Sequence, residues 1–145
     1  MTMTSDAVAI AEEDDGAAEL IEAELLKSLR LELPQSTNTS FVLTARDSEE
    51  NLVGGLTAST SYGWLLVKTL WVKPSHRGKG LGQDLMAQAE AKALAAGCHG
   101  AWLDTSSPKA RQFYERQGYE PFGQLSNEPG RAPEGHRRWF MQKAL

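Results

Sequence analysis

The apolar positions in the first third of the chain follow two different periods. Leucine and isoleucine at helical spacing predict a helix over Ala17–Leu31, and a short apolar run predicts a strand over Ala7–Ala11 before it. Pro34 is expected to end the helix, since proline cannot continue a helical hydrogen-bond pattern. The apolar stripe of this helix consists of Leu20, Ile21, Leu25, Leu26 and Leu29.

Strand-like runs follow. Phe41–Arg46 and Leu52–Ser59 flank a polar turn, which predicts a hairpin. Two consecutive glycines, Gly54 and Gly55, indicate a bulge or a close backbone approach within the second of these strands. Trp64–Val72 is too apolar to alternate cleanly, which is typical of a central strand covered on both faces.

Helices and strands alternate in the second half of the chain. Helices are predicted over Gln83–Ala96, ended by Gly97, and over Pro108–Gln117, capped by Ser107 and ended by Gly118. Strands are predicted over Gly100–Thr105, Tyr119–Gly123 and Arg137–Lys143, with a polar loop over Leu125–His136. The alternation predicts an α/β layer architecture, and a length of 145 residues suits one domain.

Composition and charge exclude several classes of protein. The lone Cys98 allows neither a disulfide within the chain nor a zinc site built on cysteines. The longest apolar run, Gly63–Val72, is too short to span a bilayer, and the N-terminus lacks the basic and apolar regions of a secretory signal. We therefore expect a reduced, soluble, cytoplasmic protein that does not bind membranes.

The formal net charge of −4 is unevenly distributed. Residues 1–26 contain eight acidic groups and no basic one, so the remainder has fifteen basic against eleven acidic groups. This surplus does not amount to the dense basic stripe of a nucleic-acid-binding protein, and no nucleic-acid partner is expected. It is compatible with a compact anionic ligand.

Glycines and cations are concentrated in the segment Arg77-Gly78-Lys79-Gly80-Leu81-Gly82, which joins a buried strand to a helix. The glycines let backbone amides approach a ligand, and the start of the helix favours a phosphate or pyrophosphate. The spacing does not fit the Walker pattern. It also does not fit the dinucleotide pattern, because Gln83 and Leu85 stand where the last glycine would fall. A Gly-rich connection without a ligand remains the alternative.

A second motif lies downstream, in Phe113-Tyr114-Glu115 followed by Gly118-Tyr119. With both motifs in this order, the sequence resembles the GNAT superfamily of N-acyltransferases from Phe41 onward. The phosphate-loop pattern of that family matches Arg77, Gly80 and Gly82. The resemblance implies a single domain over residues 1–145, with a central mixed, twisted sheet of six to seven strands and helices on both faces. The chain departs from the family in having room for only one substantial helix before the hairpin.

The resemblance implies transfer of an acetyl group from acetyl-CoA to a primary amine by direct attack on the thioester. Pantetheine would lie in a gap between two diverging parallel strands, Trp64–Val72 and Gly100–Thr105. It would pair there with the backbone of Leu70, Trp71 and Val72. The cofactor phosphates would contact the loop Arg77–Gly82. Ser107 stands where many relatives have an asparagine that contacts the cofactor, and its hydroxyl can still donate a hydrogen bond.

Three residues are candidates for proton transfer. Tyr114 lies on the helix over the expected thioester and is suited to protonate the departing thiolate. His136 follows the polar loop and carries an imidazole, which titrates near neutral pH, so it is a candidate base. Asp104, at the end of a strand, is the other candidate base. Each has a structural alternative: a buried aromatic, a surface histidine or a carboxylate bonded to local backbone.

No metal cofactor is expected, because His76 and His99 lack ligand partners at metal spacing. Two other functions stay open beside the enzyme. One is a catalytically silent module that binds acyl-CoA or a partner protein, and the other is a nucleotide-binding α/β protein. The family resemblance also implies a homodimer, for which the strand Arg137–Lys143 could supply the surface.

Overall fold

The computed structural model describes residues 7–33 and 38–145. The helices and strands, in chain order, are α1 Gly16–Glu32, β1 Thr39–Arg46, β2 Leu52–Ser61, β3 Trp64–Val72, α2 Leu81–Ala95, β4 Gly100–Thr105, α3 Pro108–Arg116, β5 Glu120–Ser126 and β6 Arg137–Ala144. A single 3₁₀ turn, Pro74–His76, separates β3 from α2. The chain divides into two units, Met1–Gln35 and Ser36–Leu145.

The described part of the first unit, residues 7–33, contains one helix. The sequence-based prediction of α1 is confirmed to within one residue at each end. None of its residues is buried, and the side chains of Leu20 and Ile21 are 71% and 68% exposed. The strand predicted over Ala7–Ala11 is wrong: residues 7–14 are irregular and have no strand partner among the described residues, and a strand exists only where its backbone pairs. Pro34 lies outside the described residues.

The second unit is built on one mixed sheet of six strands, in the order β1-β2-β3-β4-β6-β5. Only the β3–β4 pair is parallel, and the other four pairs are antiparallel. The predicted hairpin of β1 and β2 is confirmed. Both expectations for its double glycine also hold: the register shifts beside Gly54, and a Cβ there would lie 3.2 Å from a side-chain atom of Leu81.

Strand β3 carries a bulge that the sequence did not reveal. Thr57 pairs with Thr69 and Ala58 with Val67, so Lys68 is the extra residue. The bulge changes which side chains along the strand face inward. Val67 belongs to the core, and Leu70 and Val72 pack against it. The expectation that β3 is covered on both faces needs correction, because Trp71 is 45% exposed. In the sequence, β3 shows no regular alternation of apolar and polar residues, partly because the bulge interrupts the alternation of inward and outward side chains.

Helices α2 and α3 pack against the same face of the sheet and share one hydrophobic core. Small residues on α2, Ala89 and Ala93, are fully buried and let that helix approach the strands closely. The largest fully buried side chains are Tyr119, Leu56, Leu65, Met86, Leu103 and Met141. The core therefore fixes both helices on the sheet.

Strand β6 is internal, since β4 pairs with one of its edges and β5 with the other. A homodimer through Arg137–Lys143 stays a prediction, and it would have to use the side chains of β6, because both backbone edges are already paired. Of the helices in the described residues, none combines the length and the apolar character that a membrane crossing requires.

Candidate functional site

Strands β3 and β4 are paired over their first three residues and then separate. They pair only at Trp64–Gly100, Leu65–Ala101 and Leu66–Trp102. Beyond this point β3 continues beside β2 as far as Val72, while β4 continues beside β6 as far as Thr105. The prediction that these strands are parallel neighbours and diverge at their carboxyl ends is confirmed. The divergence leaves backbone groups on the facing edges without a strand partner.

A cleft of about 630 Å³ opens at this divergence. Ten of the residues predicted to bind the cofactor line it: Leu70, Trp71, Val72, Arg77, Gly78, Gly80, Leu81, Gly82, Ser107 and Tyr114. Three separate segments, the end of β3, the loop before α2 and helix α3, therefore meet as the sequence indicated.

Lys79 does not line this cleft. It faces a neighbouring hollow of about 310 Å³ together with Arg46 and His76. The glycines on either side of it have φ values of +77° and +84°, a left-handed backbone conformation that residues with a side chain disfavour. His76 lines both the hollow and the cleft, and contact of Lys79 with the cofactor phosphates stays a prediction.

The start of α2 forms the polar end of the cleft. Gly80 occupies the N-cap without a side-chain cap, and its carbonyl accepts the first intrahelical hydrogen bond, from the amide of Asp84 at 3.0 Å. The amides of the first helical turn are thus directed outward, with the positive end of the helix dipole behind them. Arg77 Nε donates to the Val72 carbonyl at 2.9 Å, which ties the loop to the end of β3. This arrangement suits a bound anion.

Tyr114 lies on α3 at the apolar end of the cleft and is 8% exposed. Its ring makes edge contacts with Phe113, with centroids 5.3 Å apart, and with Tyr119, at 6.0 Å. Burial, and secondly the negative charge of Asp104, raise the pKa of the Tyr114 phenol above its ordinary value of 10.0. The phenol is therefore protonated at neutral pH and can act as a proton donor.

Helix α3 is held in place at its first turn and along its side. The Ser107 hydroxyl accepts a hydrogen bond from the Ala110 amide at 3.2 Å, so the predicted N-cap is confirmed. A Cβ on Gly82 would lie 3.4 Å from the ring of Phe113, so α2 and α3 are in contact beside the cleft. These contacts fix Tyr114 relative to the anion-binding turn.

The two candidate bases do not line the cleft, but lie at its rim, where β4 ends and β6 begins. Asp104 Oδ1 accepts from Arg138, from Nε at 3.0 Å and from Nη2 at 2.9 Å. His136 Nε2 lies 2.9 Å from the Ser106 hydroxyl. The carboxylate of Asp104 is close enough to affect the pKa of Tyr114, and Ser106 directly precedes the cleft residue Ser107.

Sequence reasoning missed several cleft residues on α3. Lys109, Ala110, Phe113, Arg116 and Gln117 all line the cleft. They recur at the three- and four-residue spacing of one helix face, the face that also carries Tyr114. That periodicity could have identified them, and Lys109 and Arg116 add cations to the cleft.

Comparison with known proteins agrees with this geometry. A family model described as "Acetyltransferase (GNAT) family" matches residues 7–119. A curated acetyltransferase of Agrobacterium fabrum is 38% identical over 91 residues, which cover 63% of this chain and 66% of the relative. The aligned segment thus spans slightly less than two thirds of that relative's length.

Solved structures show the same architecture. A crystal structure from Agrobacterium tumefaciens has a TM-score of 0.83 and 30% identity, and the match covers 96% of this chain and 98% of the other. A Bacillus anthracis protein in complex with acetyl coenzyme A has a TM-score of 0.65 at 18% identity, covering 73% and 62% of the two chains. The second likeness concerns the fold alone. By its family model, its sheet and its cleft, the chain belongs to the GNAT family of acetyltransferases.

Proposed function

We propose that this protein is an acetyl-CoA-dependent N-acetyltransferase that transfers the acetyl group to a primary amine by direct attack on the thioester. One observation carries the proposal. The cleft runs without interruption from the anion-binding start of α2, along the free edge of β3, to the buried phenol of Tyr114. It thus offers separate sites for phosphate, for an extended amide-containing chain and for a leaving thiolate.

The proposed cofactor contacts follow from the backbone. The pyrophosphate lies at the amides of the first turn of α2, with Arg77 beside them. Leu70, Trp71 and Val72 pair with β2 on one edge only, so their other edge offers hydrogen bonds to the pantetheine amides. The Ser107 hydroxyl accepts from Ala110 and keeps its own proton for donation to the cofactor.

The proposed reaction needs two proton transfers. The neutral amine attacks the thioester carbonyl carbon, and the collapse of the tetrahedral intermediate breaks the carbon–sulfur bond. The Tyr114 phenol then donates its proton to the departing sulfur. General acid catalysis of this kind accelerates a reaction by about 10²–10⁴-fold.

The proton lost by the amine goes to His136 in this proposal. Asp104 is the weaker candidate, because one of its oxygens already accepts two hydrogen bonds from Arg138. We propose instead that Asp104 keeps its negative charge next to the acceptor. There it favours a cationic amine and helps to keep Tyr114 protonated.

The proposal is tested by ligand binding and by turnover. In thermal unfolding experiments, acetyl-CoA and CoA should stabilise the protein, whereas ATP and NAD should not. A thiol-detecting assay with a panel of primary amines should then report CoA release that depends on both substrates. Stabilisation by acetyl-CoA without thiol release from any amine would favour the silent binding module, and selective stabilisation by ATP would favour a nucleotide-binding protein.

A further inference from the structure

Two side-chain contacts connect the end of β4 to the start of β6, next to the last backbone pair of these strands, Thr105–Trp139. Asp104 holds Arg138. Two residues further along the chain, just past the end of β4, the hydroxyl of Ser106 lies 2.9 Å from Nε2 of His136, the residue before β6. The second contact is two residues from the first along both segments, so the two contacts are neighbours at this end of the sheet. Sequence reasoning singled out Asp104 and His136, but it gave no role to Ser106.

His136 is also held from the loop side. Its carbonyl accepts from the Asn127 amide at 2.9 Å, and its own amide donates to the Pro133 carbonyl at 3.3 Å. The backbone is therefore anchored, and the ring is fixed through Nε2. Among the described residues, Nδ1 of this ring has no side-chain hydrogen bond.

A neutral imidazole has one nitrogen that carries a proton and one that carries a lone pair. If Ser106 donated to Nε2, the lone pair would be occupied and Nδ1 would carry the proton, so the ring could not accept a proton from an amine. If Nε2 donates to the Ser106 oxygen, the lone pair is on Nδ1 and is free. Only the second arrangement leaves a base.

We infer that Ser106 is a positioning residue: its hydroxyl oxygen accepts the hydrogen bond from His136 Nε2–H and thereby presents Nδ1 as the atom that takes the amine proton. This inference rests on the proposed function, in which His136 is the base. In the transfer, the nitrogen–hydrogen bond of the amine breaks and an Nδ1–H bond forms. The imidazolium keeps the hydrogen bond that its Nε2–H donates to the Ser106 hydroxyl oxygen.

A neutral hydroxyl suits this role better than a carboxylate would. A carboxylate bonded to Nε2–H would stabilise the imidazolium and retain the proton after each turnover. The Ser106 oxygen accepts the same hydrogen bond in both protonation states, so it orients the ring without strongly favouring the charged form. The nearby carboxylate of Asp104 is held by Arg138 instead.

The first test is nitrogen-15 NMR of the ring of His136 in the free protein, which requires no activity. We expect Nε2 to carry the proton and Nδ1 to be unprotonated when the imidazole is neutral. A neutral ring protonated at Nδ1 would overturn the inference. Because the measurement needs no substrate, its outcome is independent of whether the protein is an acetyltransferase.

The second test is a double-mutant cycle on turnover at neutral pH. Ser106→Ala should lower kcat by about tenfold without changing the KM for acetyl-CoA, and Ser106→Thr should restore most of it. Ser106→Ala should have no further effect in a His136→Ala background, because the serine acts through the imidazole. Ser126→Ala removes a hydroxyl from the end of β5, where it accepts from Gln124, and should leave kcat unchanged.

Independent, multiplicative losses in the cycle would overturn the positioning role. Wild-type turnover in His136→Ala would refute the base assignment in the proposed function, and with it the catalytic part of this inference. The NMR experiment would still decide whether Ser106 accepts from Nε2. Absence of turnover with every amine would instead count against the proposed function alone.

Discussion

The two ends of the β3–β4 pair have opposite properties. At the closed end the strands are hydrogen-bonded, and the Trp64 ring lies so close to Gly100 that a Cβ there would be 2.5 Å from it. At the open end, the strands have separated, Trp71 is 45% exposed and the cleft begins. One pair of strands therefore supplies both a rigid contact and an open binding edge.

The reason for the divergence lies in the neighbouring strands. Strand β3 stays with β2 over its whole length, and the bulge at Lys68 falls just after the last pair with β4. Strand β4 stays with β6. A bulge bends its strand and increases the local twist, so each strand follows its outer neighbour and the inner edges separate.

Two tyrosines show the same contrast at the level of single side chains. Tyr119 is 1% exposed and donates to Glu90 Oε2 at 2.8 Å, while Lys143 holds the other carboxylate oxygen at 2.6 Å. Tyr114, with its ring 6.0 Å away, lines the cleft. Both phenols have a raised pKa, but of the two residues only Tyr114 lines the cleft.

The largest expected effect separates these two tyrosines. Tyr114→Phe should lower kcat by about 10²-fold while acetyl-CoA still binds, because only the acidic proton is lost. Tyr119→Phe, the matched control, should retain kcat within about twofold, because Tyr119 does not line the cleft and its hydroxyl is bonded to Glu90. Steady-state kinetics and acetyl-CoA titration measure both. Equal losses in the two variants would remove the functional distinction between them.

The closed end should be sensitive to added volume. Gly100→Ala should lower the free energy of unfolding by about 1–3 kcal/mol, since the new methyl group displaces the Trp64 ring. Urea denaturation measures this loss. Gly123→Ala adds the same methyl group to β5, where the nearest atoms are 3.8 Å away, and should cost less. Equal stability of wild type and Gly100→Ala would show that the closed end is loosely packed.

The open end should be sensitive in affinity rather than in stability. Gly80→Ala should weaken acetyl-CoA binding about tenfold, because a φ of +84° disfavours alanine and the amides of the first turn of α2 realign. Gly97 has a φ of +93° and equally open surroundings at the other end of α2, so Gly97→Ala is a matched control. Calorimetric titration should show a loss in the first variant only. A similar loss in both would indicate a general effect on the helix.

The smallest expected effect concerns alkaline pH. Burial, and secondly the charge of Glu90, raise the pKa of Tyr119, so the unfolded chain ionises this phenol first as the pH rises. The stabilisation is fully present below pH of about 10 and is lost above it. Tyr119→Phe should lower the free energy of unfolding at pH 7 by about 1 kcal/mol. It should also make this free energy less dependent on pH above about pH 10. Denaturation at several pH values measures this dependence. The same alkaline slope of the free energy of unfolding in wild type and in Tyr119→Phe would contradict the prediction.

Local features of the chain were read correctly from the sequence. The bounds of β3 and β4 agree with the prediction, as do the Ser107 cap and the turn that presents the start of α2. These features depend on residues close together in the chain: apolar runs, a capping hydroxyl and glycines at positive φ. The sequence therefore determined which segments form the cleft.

The tertiary structure decided how those segments combine. The insertion of β6 between β4 and β5 and the bulge at Lys68 depend on pairing between distant strands. The position of Lys79 in the same hollow as Arg46 depends on how separate segments pack. The contact of Ser106 with His136 joins residues thirty positions apart. No local pattern encodes such a contact, because it exists only once β6 has paired with β4 and brought both side chains to the same end of the sheet.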